Sequence, residues 1–231
     1  MCGRFTLEYS WAEIHKAFDL IPVSAAGRND PPRYNIAPTQ EVGFVHQKDD
    51  EIVVEDGRWW LVPFWAKELP KYPLFNARSE TAHVKSSFRE AFKSKRCLIP
   101  ASGYYEWTKA EDGGKDPHFI HLPEREPFLF AGLWAHNSHL DITSCTILTA
   151  EADPAISRLH HRMPIVLEQG QWRDWLSGDT SVVAARDLLN HNRGAEFISY
   201  RVGRAVNSSR ANGGSAGSDD GHVGSQLIDP I

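Results

Sequence analysis

The second residue of the chain is a cysteine, and Gly3-Arg4-Phe5 follows it directly. A small residue at position 2 permits removal of the initiator Met1, which leaves an α-amine and a thiol on one residue. Such a 1,2-aminothiol reacts with an aldehyde in two stages. The amine forms a Schiff base, and the sulfur then closes a five-membered thiazolidine ring, which an internal cysteine cannot do. An α-amine titrates near ~7.7–8.0, so a useful fraction is neutral and nucleophilic at physiological pH. A cysteine at this position also arises by chance. What favours chemistry is the sequel: a flexible glycine, a cation, and an apolar anchor that fixes the start of the chain.

Three further segments carry residue types suited to the same chemistry. In PLFNARSETA, Asn76, Arg78 and Glu80 alternate, so an extended segment would put all three on one face. An Asn can hold an amine or an oxyanion and an Arg a phosphate; the pattern reads equally well as a polar strand edge with a helix cap. In ASGYYEW, Glu106 lies among Tyr104, Tyr105 and Trp107. Aromatic surroundings desolvate a carboxylate, raise its pKa and suit it to proton transfer; a Glu on the wet face of an amphipathic strand is the plainer alternative. In LHHRMPIVL, one His can act as a general acid or base near neutral pH. His160 and His161, adjacent on a strand, would point to opposite faces, so no shared metal is expected. No HxH, HExxH or Cys/His cluster points to zinc.

The elements that must position these residues follow from periodicity. Trp11, Ile14, Ala17 and Phe18 predict a helix over 11–20 behind Ser10 as N-cap. Residues 21–34, with Pro22, Gly27, Pro31 and Pro32, read as loop. EVGFVHQ and EIVVEDGRWWLV predict strands joined by a KDDE turn. SSFREAFKSK predicts a helix that ends in a solvated Lys95-Arg96 pair, followed by the buried strand CLIPAS and then YYEWTK. A turn at EDGGKD leads into HFIHL; PFLFAGLWAH and SCTILTAEA are further strands, and GQWRDWLSG and VVAARDLLNHN are helical. Strands and helices without a βαβ rhythm predict an α+β fold. Ser208–Gln226 is rich in Gly, Ser and Asp and predicts a mobile tail without chemistry.

Bulk composition narrows the function class. The 231 residues, 41% hydrophobic, are enough for one large domain with a sizeable core. Core packing accounts for most of the eight Trp, with room left for a stacking surface. A net charge of -5 argues against a protein that grips nucleic acid over its whole surface, yet permits a local basic groove. Three cysteines with no paired framework favour a reducing compartment, and Cys97 and Cys145 lie in apolar runs that predict burial. MCGRFTLEYS has no signal pattern, and no stretch approaches the ~18 apolar residues of a membrane span, so a cytoplasmic protein without membrane contact is expected.

Taken together, MCGRF, RYNIAPTQ, RWWLVPFW, NARSET, ASGYYEW and HHRMP occur in the order and spacing of SRAP proteins (SOS response-associated peptidases), and the chain resembles that family from Met1 to about Asn207. The resemblance implies a single α+β domain over residues 1–207, built around a curved, largely antiparallel β-sheet with flanking helices, and a C-terminal tail over 208–231. It also implies covalent capture of abasic sites in single-stranded DNA by the N-terminal cysteine, with no metal or cofactor, by a protein expected to act as a monomer. By motif, Cys2 resembles the cross-linking nucleophile, Asn76 the residue that positions its amine, Glu106 the acid/base carboxylate, and His160 the histidine that helps open the deoxyribose. Thr149 matches a small hydroxyl that lines the pocket. Arg4, Arg78 and Arg162 resemble phosphate-binding residues, and Pro38 and Trp65 parts of a wedge against the bases. The chain departs from the family at Trp60, where Gly is usual.

Three other readings compete. An N-terminal-nucleophile amidohydrolase can also begin MCG, although Arg4, NARSET and HHRMP are foreign to it. A thiol peptidase built from Cys2, His160 and Asn76 is compatible with self-removal of Met1. A non-covalent single-strand-binding module would make Cys2 incidental.

Overall fold

The computed structural model describes residues 2–211 and 224–231. In chain order these form β1 (Phe5–Leu7), α1 (Trp11–Ala17), β2 (Arg33–Ile36), β3 (Glu41–Lys48), β4 (Glu51–Trp59), β5 (Asn76–Arg78), α2 (Ser79–Ala82), α3 (Arg89–Ser94), β6 (Arg96–Ala101), β7 (Gly103–Lys109), β8 (Lys115–His121), β9 (Phe128–Asn137), β10 (Ile142–Glu151), α4 (Pro154–Ser157), β11 (Arg162–Pro164), α5 (Trp172–Leu176), α6 (Val182–Leu188) and β12 (Ile198–Arg201).

Local chemistry sets several of these boundaries. Ser10 and Glu13 form a reciprocal capping box that starts α1. The helix stops at Ala17, short of the expected 20, because Phe18 turns extended and buries its ring edge-on against Trp172, 5.2 Å between centroids. Lys48 pairs with Glu51 across a two-residue turn, and Asp49 and Asp50 hold φ at 48° and 66°. That is the left-handed pair a tight hairpin demands, which Asp tolerates better than most residues. Residues 21–34, expected as loop, contain a 3-10 helix at Val23–Gly27 and run into β2 at Arg33.

The strands form two sheets rather than one. The first has the order β12-β8-β7-β1-β2. The second runs β11-β10-β4-β3-β6-β9, and β9 pairs back onto β10, so β10, β4, β3, β6 and β9 close a ring; β5 adds to β10. Pairing is antiparallel except where β10 meets β4 and β5. The fold is thus the expected α+β, largely antiparallel domain.

Three apolar clusters fill it. One lies between the second sheet and the helices, with Trp11, Ile14, Phe92 and Trp175 meeting Val45, Leu98 and Leu133. The second lies between the sheets, where Phe5, Tyr104 and Ile120 meet Phe44, Trp59 and Phe130, and it includes Cys2. Cys97 and Cys145 are buried with their thiols unpaired, as their apolar runs predict. The third cluster covers the outer face of the first sheet with Tyr105, Phe119, Val202, Val206, Leu227 and Ile228.

This last cluster corrects the expected tail at its two ends. Ser208 and Ala211 accept hydrogen bonds from the Asn35 amide, a 3-10 turn at Ser225–Ile228 buries Leu227 and Ile228, and Pro230 bridges to Val202. The expectation of mobility for 212–223 lies outside the described residues. Among the described residues no helix is long and apolar enough to cross a membrane.

A second correction concerns the Lys95-Arg96 pair. Arg96 is 2% exposed, and its guanidinium donates to the carbonyls of Phe92, Lys93, Trp175, Ser177 and Thr180, tying α3 to α5. The Lys95 ammonium lies 4.1 Å from the Trp134 ring centroid. Neither is an idle surface charge. Charged hydrogen bonds and orphaned buried carbonyls each count for about 1.5–3 kcal/mol. Arg96→Met should therefore lower stability by about 3 kcal/mol, a fall of roughly 6–12 °C in Tm for a chain this size, whereas the exposed Lys93→Met should stay within about 0.5 kcal/mol. Thermal melts of both variants check this.

Candidate active site

The start of the chain is threaded between the two sheets. β1 pairs with β7 through Phe5↔Tyr104 and Thr6↔Gly103, and the Tyr105 N–H donates to the Arg4 carbonyl at 3.0 Å. Continuing that register toward the N-terminus brings Glu106 abreast of Gly3 and beside Cys2. From the opposite sheet, β5 lies parallel to β10 with Asn76 at Ile147, and the Asn76 amide donates to the Cys2 carbonyl at 2.7 Å. Cys2 is fully buried where the sheets meet.

Burial governs the electrostatics here. It pushes the Cys2 thiol pKa well up, and the neighbouring Glu106 charge pushes it further. Glu106 is 3% exposed, and desolvation raises its carboxyl pKa, offset in part by the hydrogen bond from the Trp107 backbone. The Asn76 Oδ1 is buried without a hydrogen-bond partner among the described residues. That leaves an acceptor next to the Cys2 backbone. The Tyr104 hydroxyl is likewise buried and unpartnered, with its pKa raised by burial and by Cys2 and Glu106. Sequence reasoning placed Tyr104 only as an aromatic neighbour, since nothing in a YY pair tells which hydroxyl turns inward.

His160 follows α4 in a turn, not a strand. Its ring therefore does not oppose that of His161; the two stack, 4.3 Å between centroids. His160 Nδ1 is engaged by the Arg162 backbone, 2.9 Å from its N–H and 3.2 Å from its carbonyl oxygen, which fixes the orientation of the ring. Burial lowers the His160 pKa, and the charges of His161 and Arg162 lower it further.

Asn76, Arg78 and Thr149 are brought abreast by register, Thr149 pairing with Arg78 on one side and Pro164 on the other. Glu80 departs from the expected alternation, because the chain turns into α2 at Ser79. From there it takes a two-pronged salt bridge from Arg162, 2.6 and 2.9 Å, which holds the Glu80 carboxyl below its usual pKa. Arg162 is 7% exposed and also donates to the Thr149 carbonyl at 2.6 Å. Thr149 is itself 0% exposed, its hydroxyl within 3.4 Å of the Ala77 carbonyl. Arg4 is half-buried and donates to Asn35 Oδ1 and the Val206 carbonyl. Of the three arginines singled out, Arg78 alone is classed as exposed.

Pro38 and Trp65, the residues expected to form a wedge, sit on two braced loops. Pro38 lies in a turn closed by Gln40 N–H to Ala37 carbonyl, with Thr39 at φ 80°, a left-handed value that a β-branched residue rarely adopts. Mutual bonds between this turn and Trp59 hold it against the end of β4. Trp65 and Phe64 are 54% and 56% exposed. Their loop is pinned by the buried Asn137, whose amide donates to the Pro63 and Ala66 carbonyls at 2.7 and 2.9 Å. Sequence reasoning missed Asn137, since an Asn at a strand end looks like an ordinary turn residue. Trp60 is absent from the positive-φ residues and packs beside Phe75, so this backbone accepts a side chain where the family usually has Gly. Among the described residues no His/Cys/Asp/Glu group could hold a metal ion.

Comparison with known proteins places this arrangement. The family model described as SOS response associated peptidase (SRAP) matches residues 1–209. The chain is similar to the abasic site processing protein YoaM of Bacillus subtilis, 35% identical over 217 residues that cover 92% of this chain and 95% of YoaM. It is also similar to the abasic site processing protein YedK of Escherichia coli, 30% identical with both chains covered in full. A crystal structure of a Bordetella bronchiseptica protein superposes with a TM-score of 0.73 at 27% identity, covering 87% of this chain and all of that one.

The burial of Glu106 has a measurable sign. Its folded carboxyl holds a proton to higher pH than the ordinary 4.5, so stability tied to it is present below that value and is lost as pH rises through the raised pKa. Glu106→Gln should melt like the wild type near pH ~4 and above it by a margin that grows toward pH ~7.5. A Tm difference that stays flat across this range would remove desolvation as the cause.

Proposed function

This chain belongs to the SOS response associated peptidase (SRAP) family, and we propose that it captures abasic sites in single-stranded DNA as a covalent thiazolidine on Cys2 after removal of Met1. The observation that carries the proposal is the convergence on Cys2 of the Asn76 amide from one sheet and the Glu106 carboxyl from the other.

An abasic sugar interconverts between a closed hemiacetal and an open aldehyde. His160 relays the proton from the C1′ hydroxyl to the ring oxygen as the ring opens. The α-amine of Cys2, held through Asn76, attacks C1′; Glu106 donates a proton as water leaves and the Schiff base forms. The thiol sulfur then adds to the same carbon, and its proton passes to the nitrogen. One water is released, the ring closes, and no oxidant or cofactor is consumed.

The buried thiol supports this order of events. A peptidase or amidohydrolase nucleophile needs an accessible thiolate, whereas Cys2 is held as the neutral thiol. Neutral sulfur suits a second-step nucleophile that acts after the amine has captured the carbonyl. Pro38 and Trp65 would press on the bases that flank the lesion, where each aromatic stack is worth ~1–3 kcal/mol. Arg78 would contact a phosphate directly. Arg162 would do so only in competition with Glu80, and its larger contribution is to hold the Thr149 end of β10. All these groups come from one chain, so a monomer is a sufficient unit.

Two measurements test the proposal. On a denaturing gel, the processed protein should form a heat-stable adduct with abasic single-stranded DNA, and Cys2→Ser should leave at most a reversible Schiff base; an undiminished stable adduct in that variant would sink the assignment. In a Cys2→Ala background, Arg78→Gln should flatten the slope of log affinity against log salt by roughly 0.7, the value for one phosphate on a single strand. An unchanged slope would remove Arg78 from the groove.

A further inference from the structure

One row of side chains leads away from Glu106 across the first sheet. Glu106 on β7 pairs directly with His118 on β8, and His118 pairs directly with Arg201 on β12. Residues directly opposite in antiparallel strands project from the same face, so the three lie in line on the face that carries Glu106. The line spans two strand spacings, about 10 Å. Arg158 approaches the same face from the end of α4, two residues before His160, and donates to the β12 hydroxyl of Ser199 at 3.1 Å. The row is therefore joined to the site twice, at Glu106 and at His160.

The charges along it are unequal. Arg201 is paired with Asp116 at 2.9 Å, and Arg204 shares that carboxylate at 2.7 Å. Arg158 is exposed, and among the described residues it forms no salt bridge. His118 bonds to the Thr108 hydroxyl at 3.1 Å; its pKa is lowered by burial and then by Arg158 and Arg201, with Asp116 opposing them, which places it within the field of both cations and of the carboxylate they outweigh. An exposed guanidinium, a hydroxyl and a neutral imidazole set beside one another are donors for a phosphodiester, and their field favours an anion.

We propose that Arg158, with Ser199 and His118, forms a subsite for the backbone phosphate of a nucleotide flanking the one captured at Cys2. The proposal rests on the DNA-capture reading above. It sets a direction for the strand, from Glu106 across β8 toward β12, and makes Arg158 the leading contact, with Arg201 assisting in proportion as Asp116 releases it.

The test uses the full chain with Cys2→Ala and short abasic single strands in which one phosphate at a time is a neutral methylphosphonate. Arg158→Gln is compared with Arg173→Gln, which removes the same charge from an exposed helix position elsewhere. The expected result is that a single flanking linkage, when neutralised, weakens binding about 5-fold in the parent and in Arg173→Gln, and has no further effect in Arg158→Gln, whose salt slope is smaller by roughly 0.7. Equal affinities for the two variants at every linkage would overturn the subsite, as would a loss spread evenly over all linkages. Parallel capture on a denaturing gel with Cys2 present separates the two levels. Intact capture beside an indifferent Arg158 removes the subsite alone, while absent capture removes both.

Discussion

The hydrogen bond from Asn76 to the Cys2 carbonyl joins two sheets that have no strand pairing near this point. A chain terminus is normally the least ordered part of a domain. Here β1 is hydrogen-bonded between β2 and β7 within the first sheet, while Asn76 of the second sheet reaches Cys2, three residues ahead of it. The consequence is that the start of the chain is placed by the packing of the whole molecule. Cys2 sits in the same apolar cluster as Phe5, Trp59 and Phe130, so an error in how the two sheets pack would displace it.

That burial also decides the chemistry available. A low-dielectric pocket keeps the thiol protonated, lifts the Glu106 carboxyl and lowers the His160 imidazole, so all three groups move toward neutrality. Groups near neutrality take up and release protons with little change in charge, which suits general acid–base chemistry. Charge is kept at the margins instead, in the Arg162–Glu80 bridge, the Arg4 bonds and the exposed Arg78.

The surfaces around the pocket are stiff by construction. Thr39 is held in a left-handed conformation at a cost of about 1–3 kcal/mol, and Asn137 fixes the loop that exposes Phe64 and Trp65. Exposed aromatics on a rigid loop contact a ligand with little loss of side-chain freedom. The same stiffness explains why large apolar rings remain in solvent here rather than folding inward.

The sequence by itself determined the residue types and most of the elements: the cysteine at position 2, the carboxylate among aromatics at Glu106, the strands from EVGFVHQ to SCTILTAEA, and the α+β class. These are legible because periodicity and local chemistry act over a few residues. Tertiary structure alone decided which charges are free. Arg96 looked like a helix-end cation and became the buried tie of α3 to α5, because five carbonyls surround it. Arg162 looked like a free cation and is matched by Glu80, which left its expected strand face because the chain turns into α2 at Ser79. His160 and His161 stack because a turn, not a strand, carries them. The end of the C-terminal segment packs on the first sheet through Leu227 and Ile228, two apolar residues too few to register against a Gly/Ser background. In each case the deciding partner lies far away in sequence, and the free energy of a charge or an apolar side chain depends on what surrounds it, not on its neighbours along the chain.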